Sequence, residues 1–292
     1  MIAIAENPRR ALLSRLRDPA AWATSADVFA ILLALSLPWS TSLVAIFAVA
    51  MLIVMTPLLD VGAFLRSLCR PIAAVPIAFF LLALIGTLWS NAPWGMRLHA
   101  INPTAKLLVL PFLFYHFERS QRGLWVLVAF LVSSTLMVAM SWIVVFHPEL
   151  TLKAKDVASR GIFVKNYIDQ SQEFTLCTVA LGYPIVALLR ERKIWPALLL
   201  CVLALSFIVN MAFVIVSRTA LVTMPMMLAV FGLLHLKWRT NLLILGAVIA
   251  IGAAAWVLSP QLEGTIKSFS GQYRLYEQRH APTSVGQRLT YW

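Results

Sequence analysis

Long apolar blocks broken by short polar or basic interruptions are the dominant pattern along this chain. Nine blocks stand out, at roughly 24–38, 41–58, 72–89, 105–117, 123–146, 171–189, 194–211, 218–236 and 240–258. A helix crosses a bilayer core in about 20 residues, so each is read as a span, with 105–117 the shortest. Residues 28–55 are almost continuously apolar, but Pro38-Trp39-Ser40-Thr41-Ser42 interrupts them. A proline followed by polar and interfacial residues suits a tight turn between two helices. The expected fold class is all-α, a polytopic transmembrane helical bundle.

Composition sharpens this picture. Hydrophobic residues make up 61% of the chain and charged residues 12%, against about 25% charged in a typical soluble domain. In water such blocks would expose more apolar area than a soluble fold tolerates. Soluble classes are excluded.

Charge orients the bundle. Residues 1–23 form a basic N-terminal tail with Arg9, Arg10, Arg15 and Arg17, and carry no signal-peptide apolar segment or cleavage site. Residues 24–258 form the transmembrane domain and 259–292 open a further loop. With a cytoplasmic N-terminus and two helices in 24–58, the tight loops Arg66–Arg70, Glu118–Arg122, Arg190–Lys193 and His235–Arg239 all fall inside. Short basic loops belong there by the positive-inside rule. The stretches 90–104, 147–170, 210–218 and 259–292 then face outward, and they too are rich in cations.

Lysine and arginine outnumber acidic residues 24 to 12, which implies an anionic partner. The cations are scattered between spans and form no stripe, so nucleic acid is not expected. Membrane lipids account for some of them and a phosphorylated substrate for the rest. Cys69, Cys177 and Cys201 have no metal-ligand spacing and no disulfide framework.

Arg218 lies in Phe213-Val214-Ile215-Val216-Ser217-Arg218-Thr219-Ala220, with apolar residues close on both sides. An arginine at mid-span costs about 2.5–3.5 kcal/mol on insertion scales and less near the interface. Two readings follow: a side chain that snorkels to headgroups, or a guanidinium that grips a phosphate bidentately.

Ser217-Arg218-Thr219-Ala220 resembles the serine–arginine element between two late spans of the O-antigen ligase and polymerase family. Ser284-Val285-Gly286-Gln287-Arg288-Leu289-Thr290-Tyr291-Trp292 is similar to that family's Ser-x-Gly-x-Arg-x-x-x-Trp signature at the start of its large periplasmic loop. Gly161–Gln170 is similar to its polar segment before a mid-chain span, and Leu88-Trp89-Ser90 also fits. The resemblance covers most of the chain. It implies a bacterial inner-membrane enzyme that moves a glycan from a polyprenyl-diphosphate donor, at the periplasmic face, onto lipid A–core, onto another repeat unit or onto a protein side chain. It also makes the chain a C-terminally truncated member, with further spans expected past Trp292 and no turnover expected of this piece alone.

A polyprenyl-diphosphate donor is already activated, and no nucleotide-binding glycine loop is seen. Breaking the sugar–phosphate bond builds charge on the diphosphate, which a metal or fixed cations must stabilise. The outward carboxylates Glu149, Asp156, Asp169, Glu173, Glu263 and Glu277 form no tight metal-ligand pair, so a metal-free clamp without a cofactor is expected. Arg218 and Arg288 are the first candidates for diphosphate binding, then Lys106, Arg160 and Lys165. For those last three a solvated loop charge is the competing reading. The general base is unassigned, because the family's histidine falls past the Ser-x-Gly-x-Arg motif. His280 precedes that motif, and a surface role suits it better. His116, His147 and His235 are expected at the membrane interface. A transporter for an anionic solute is the rival class, but no inverted repeat is visible.

Overall fold

The computed structural model describes residues 18–90, 93–152, 161–215 and 217–239, with isolated positions beyond. Among them all regular structure is helical. The helices are α1 Pro19–Ser36, α2 Thr41–Met55, α3 Val61–Leu68, α4 Pro71–Gly86, α5 Trp94–Ala105, α6 Val109–Phe117, α7 Gly123–Phe146, α8 Tyr167–Arg190, α9 Ile194–Phe213 and α10 Arg218–His235.

Five stretches are long and apolar enough to cross a membrane: α1, α2 with its 3-10 extension to Leu58, α7, α8 and α9. The α3–α4 pair makes a sixth if its 79° bend is counted within one span. This is a multi-pass helical membrane protein. Its outward faces are apolar, with Leu82, Leu199 and Leu233 all exposed, which is the surface a lipid solvent requires. Five of the nine expected spans are therefore matched directly. The fourth, 105–117, is a 3-10 turn at Lys106–Leu108 followed by the nine-residue α6. The eighth is α10, whose apolar part is Val222–His235. The ninth, 240–258, lies outside the described residues apart from isolated positions.

Local sequence explains the breaks. The near-continuous block 28–55 divides where expected, with Leu37–Trp39 in a turn and the Ser40 hydroxyl accepting from Leu43 N at 3.3 Å to cap α2. Asp18 caps α1 in the same way, at 3.0 Å from Ala20 N, ahead of the expected start at residue 24. The α8 helix ends in a Schellman motif: Lys193 N–H donates to Leu188 O at 2.9 Å and Arg192 N–H to Leu189 O at 3.1 Å. The left-handed position, usually glycine, is Arg192 at φ 57°.

The chain forms two compact units, 1–132 and 133–292. In the first, Ala26 and Ala30 of α1 pack on Met51, Val54 and Met55 of α2, with Tyr115 of α6 closing the cluster. The Tyr115 hydroxyl accepts from Asp60 N at 2.9 Å, and Arg70 pairs with Glu118. The loops 66–70 and 118–122, expected on one side of the membrane, thus meet at one end of this unit.

In the second unit α9 runs antiparallel to α8: Phe174 packs on Phe207 at 5.1 Å, and the Thr175 hydroxyl reaches Met211 Sδ at 3.4 Å. The α10 helix runs parallel to α8. Thr223 donates to Gln172 Oε1 at 3.2 Å near the start of both helices, and Arg190 Nη2 donates to His235 O at 3.2 Å near their ends. Midway, Gly182 lies against the Phe231 ring so closely that a Cβ there would be 2.9 Å from it.

Candidate functional site

The parallel packing of α8 and α10 puts their N-termini at one end of the second unit. The C-terminal turn of α9 and the segment 161–166 join them there. Four hydrogen bonds hold this end together. The Asn210 amide donates to the Ser141 hydroxyl at 3.1 Å, and Ser141 donates to Gly161 O at 2.8 Å. Thr151 donates to Ile162 O at 2.9 Å and Leu152 N–H to Phe163 O at 3.2 Å. Gly161 is at φ +65°, and a Cβ on it would lie 2.3 Å from Val214 Cγ1. Only glycine fits.

Lys165 Nζ meets Glu173 Oε1 at 2.8 Å, both side chains close to nine-tenths buried. At the same end lie buried polar groups with no hydrogen-bond partner among the described residues: both amide atoms of Gln170, Gln172 Nε2, Glu173 Oε2 and Ser217 Oγ. Gln170 and Ser217 are each 1% exposed. A buried polar group left unpaired costs about 1–3 kcal/mol. Four residues in this condition at one end of a bundle are a departure from normal packing. Ser217 is also the residue that opens α10, yet its hydroxyl does not cap the helix. The first-turn N–H groups of α10 keep their positive end of the helix dipole.

The expected site residues divide as follows. Arg218 is the first residue of α10. Lys165 sits just before α8, so it and Ser217-Arg218 share one end of the unit, and its ammonium is engaged by Glu173. Lys106 is exposed and opens the 3-10 turn between α5 and α6 in the first unit. Arg160, His280 and Arg288 lie outside the described residues. Arg97 is held locally, over the Trp94 ring at 4.6 Å with Nη1 donating to Thr87 O at 3.1 Å.

Sequence reasoning named Gln170 only as the end of the polar segment and missed Gln172, Ser141 and Asn210, although Asn210 is the lone amide in α9 and was a visible signal. It also gave no sign of the partner of His116, which is 5% exposed and paired with Asp27 of α1 at 2.7 Å. Asp27 Oδ1 further accepts from the Ser120 hydroxyl at 2.7 Å, with Arg122 Nη1 at 3.7 Å from Oδ2. His147 is exposed and pairs with Glu149 at 3.0 Å. The Glu149 carboxyl is lowered by its own backbone N–H and by His147. No family model, curated protein or solved structure matches this chain.

Proposed function

We propose that this chain binds a polyprenyl-diphosphate-linked glycan at the periplasmic face of the bacterial inner membrane, as the donor side of an O-antigen ligase-type transferase with lipid A–core as acceptor. In this reading the chain has nine spans and a cytoplasmic N-terminus. The carrying observation is the shared end of α8 and α10. It brings the Lys165–Glu173 pair, and Gln170 with no side-chain partner among the described residues, to the end where Ser217-Arg218 opens a helix. The two motifs that resemble the family, some fifty positions apart, thus lie at one end of a single unit.

The chemistry follows from those groups. A diphosphate leaving group needs fixed positive charge where its negative charge grows. A helix N-terminus, a guanidinium and an ammonium supply it without a metal. The orphaned amides and hydroxyl offer donors to phosphate oxygens or sugar hydroxyls. Glu173 holds Lys165 in place until an anion competes for it.

Binding of polyprenyl diphosphate to the purified chain tests this. A lost charge-assisted bidentate contact is worth about 1.5–3 kcal/mol, so Arg218→Lys weakens binding by roughly tenfold or more. Arg288→Ala does the same, Lys267→Ala does not, and chelator leaves binding intact. Equal affinity across all three variants, or loss of binding on chelation restored by magnesium, overturns the reading.

A further inference from the structure

At the opposite end of α8 a cleft of about 230 Å³ runs between α8 and α10. Its α8 wall is Tyr183, Val186, Ala187 and Arg190 with Glu191 beyond, and its α10 wall is Phe231 and His235. Positions 183, 186, 187 and 190 form one helical stripe. The stripe spans about 10 Å at 1.5 Å per residue, from an aromatic and aliphatic floor to a charged rim. Such a polarity gradient matches an amphiphile. The volume is below the roughly 300–1,000 Å³ of a drug-sized pocket, which fits a headgroup and its first methylenes.

Charge selects the headgroup. Arg190 lines the rim, and Arg192, Lys193, Lys237 and Arg239 lie within four residues of its rim residues Arg190 and His235 along the chain. Against them stand Glu191 and the C-termini of α8 and α10, each worth about half a negative charge. Glu191 pairs with Lys193 at 2.8 Å, which raises the Lys193 ammonium above its ordinary value and keeps the pair formed at neutral pH. The α8 carbonyls are met by the Schellman N–H groups, and His235 O by Arg190. With Glu191 neutralised by Lys193, the Arg190 charge is left over at the rim, and this guanidinium keeps N–H groups free of any acceptor among the described residues. Basic pockets between spans at the short-loop side are suited to anionic headgroups.

We propose that this cleft binds an anionic phospholipid, its phosphate on Arg190 at the rim and its first methylenes against Tyr183, Val186 and Phe231. The site is distinct from the donor end and does not depend on the transferase reading.

The full chain, delipidated in neutral detergent, is titrated with phosphatidylglycerol, phosphatidylcholine and inorganic phosphate, and occupancy is read by native mass spectrometry. A photoreactive phosphatidylglycerol then maps contacts by peptide. Phosphatidylglycerol is expected to bind about tenfold more tightly than phosphatidylcholine, by roughly 1.4 kcal/mol, with inorganic phosphate unable to compete. Adducts concentrate on 183–191 and 231–239. Arg190→Gln removes the preference, and Val186→Trp, which fills the cleft while keeping every charge, removes the adducts. Equal binding of the two lipids, competition by inorganic phosphate, or adducts spread evenly over the spans overturns the proposal, and none of these readouts depends on either variant folding.

Discussion

Asp27 and His116 are 89 positions apart and meet at 2.7 Å inside the first unit. Asp27 lies about 12 Å along α1 from its start, where a lone carboxylate is costly. Its oxygens are taken up by His116, Ser120 and Arg122, so the pairing ties α1 to the α6–α7 turn. Removing one member of a buried pair costs about 3–5 kcal/mol, whereas replacing both with apolar residues is often neutral. Asp27→Ala is therefore expected to lower the thermal midpoint in detergent sharply, and Asp27→Leu with His116→Leu to recover most of it.

Gly161→Ala tests the end that gathers the donor-side groups. The left-handed φ costs a side chain about 1–2 kcal/mol, and the clash with Val214 adds about 1–3 kcal/mol of overpacking. The variant is expected to unfold earlier and to become sensitive to limited proteolysis within 147–166. Ser141→Ala, which leaves the φ untouched, gives a smaller loss.

Arg192 predicts a gain. It holds the left-handed position of the Schellman motif at φ 57°, where glycine carries no steric penalty. Relief of about 1–2 kcal/mol against about 0.5–1 kcal/mol of added chain entropy leaves Arg192→Gly more stable by several tenths. A thermal melt in neutral detergent, without anionic lipid, reads this cleanly.

Lys165 and Glu173 separate a structural role from a ligand role. Lys165→Ala leaves a buried carboxylate unpaired and lowers stability by about 3–5 kcal/mol. Lys165→Met with Glu173→Gln restores stability by removing the charge imbalance. If Lys165 also serves the diphosphate, the restored double variant still binds polyprenyl diphosphate weakly, measured beside the parent at equal folded fraction.

Much of the architecture was legible because bilayer-length apolar blocks and short basic loops are one-dimensional signals. Pro38-Trp39-Ser40 divides α1 from α2 as read, and the loops expected on one side do meet, Arg70 with Glu118 and Arg190 with His235. The co-location of Lys165 with Ser217-Arg218 follows from counting spans in the same way. The interior pairings were not legible. Asp27 with His116, and Ser141 with Asn210, depend on how each helix is rotated about its axis. A helix apolar on every side does not encode that rotation in its own sequence. The resemblance drew attention to cations, while the orphaned groups at the same end are the neutral Gln170, Gln172 and Ser217 together with one oxygen of Glu173.

The closeness of Gly182 to Phe231 couples the histories of two positions far apart in the chain. A Cβ at 182 would press on the far edge of the ring at 2.9 Å, so a larger residue there requires the ring to turn aside or residue 231 to shrink. Related chains are expected to show the two sites exchanging volume, small with aromatic or larger with aliphatic. Because Phe231 also lines the phospholipid cleft, that trade would remodel the lipid preference of the protein along with its helix spacing.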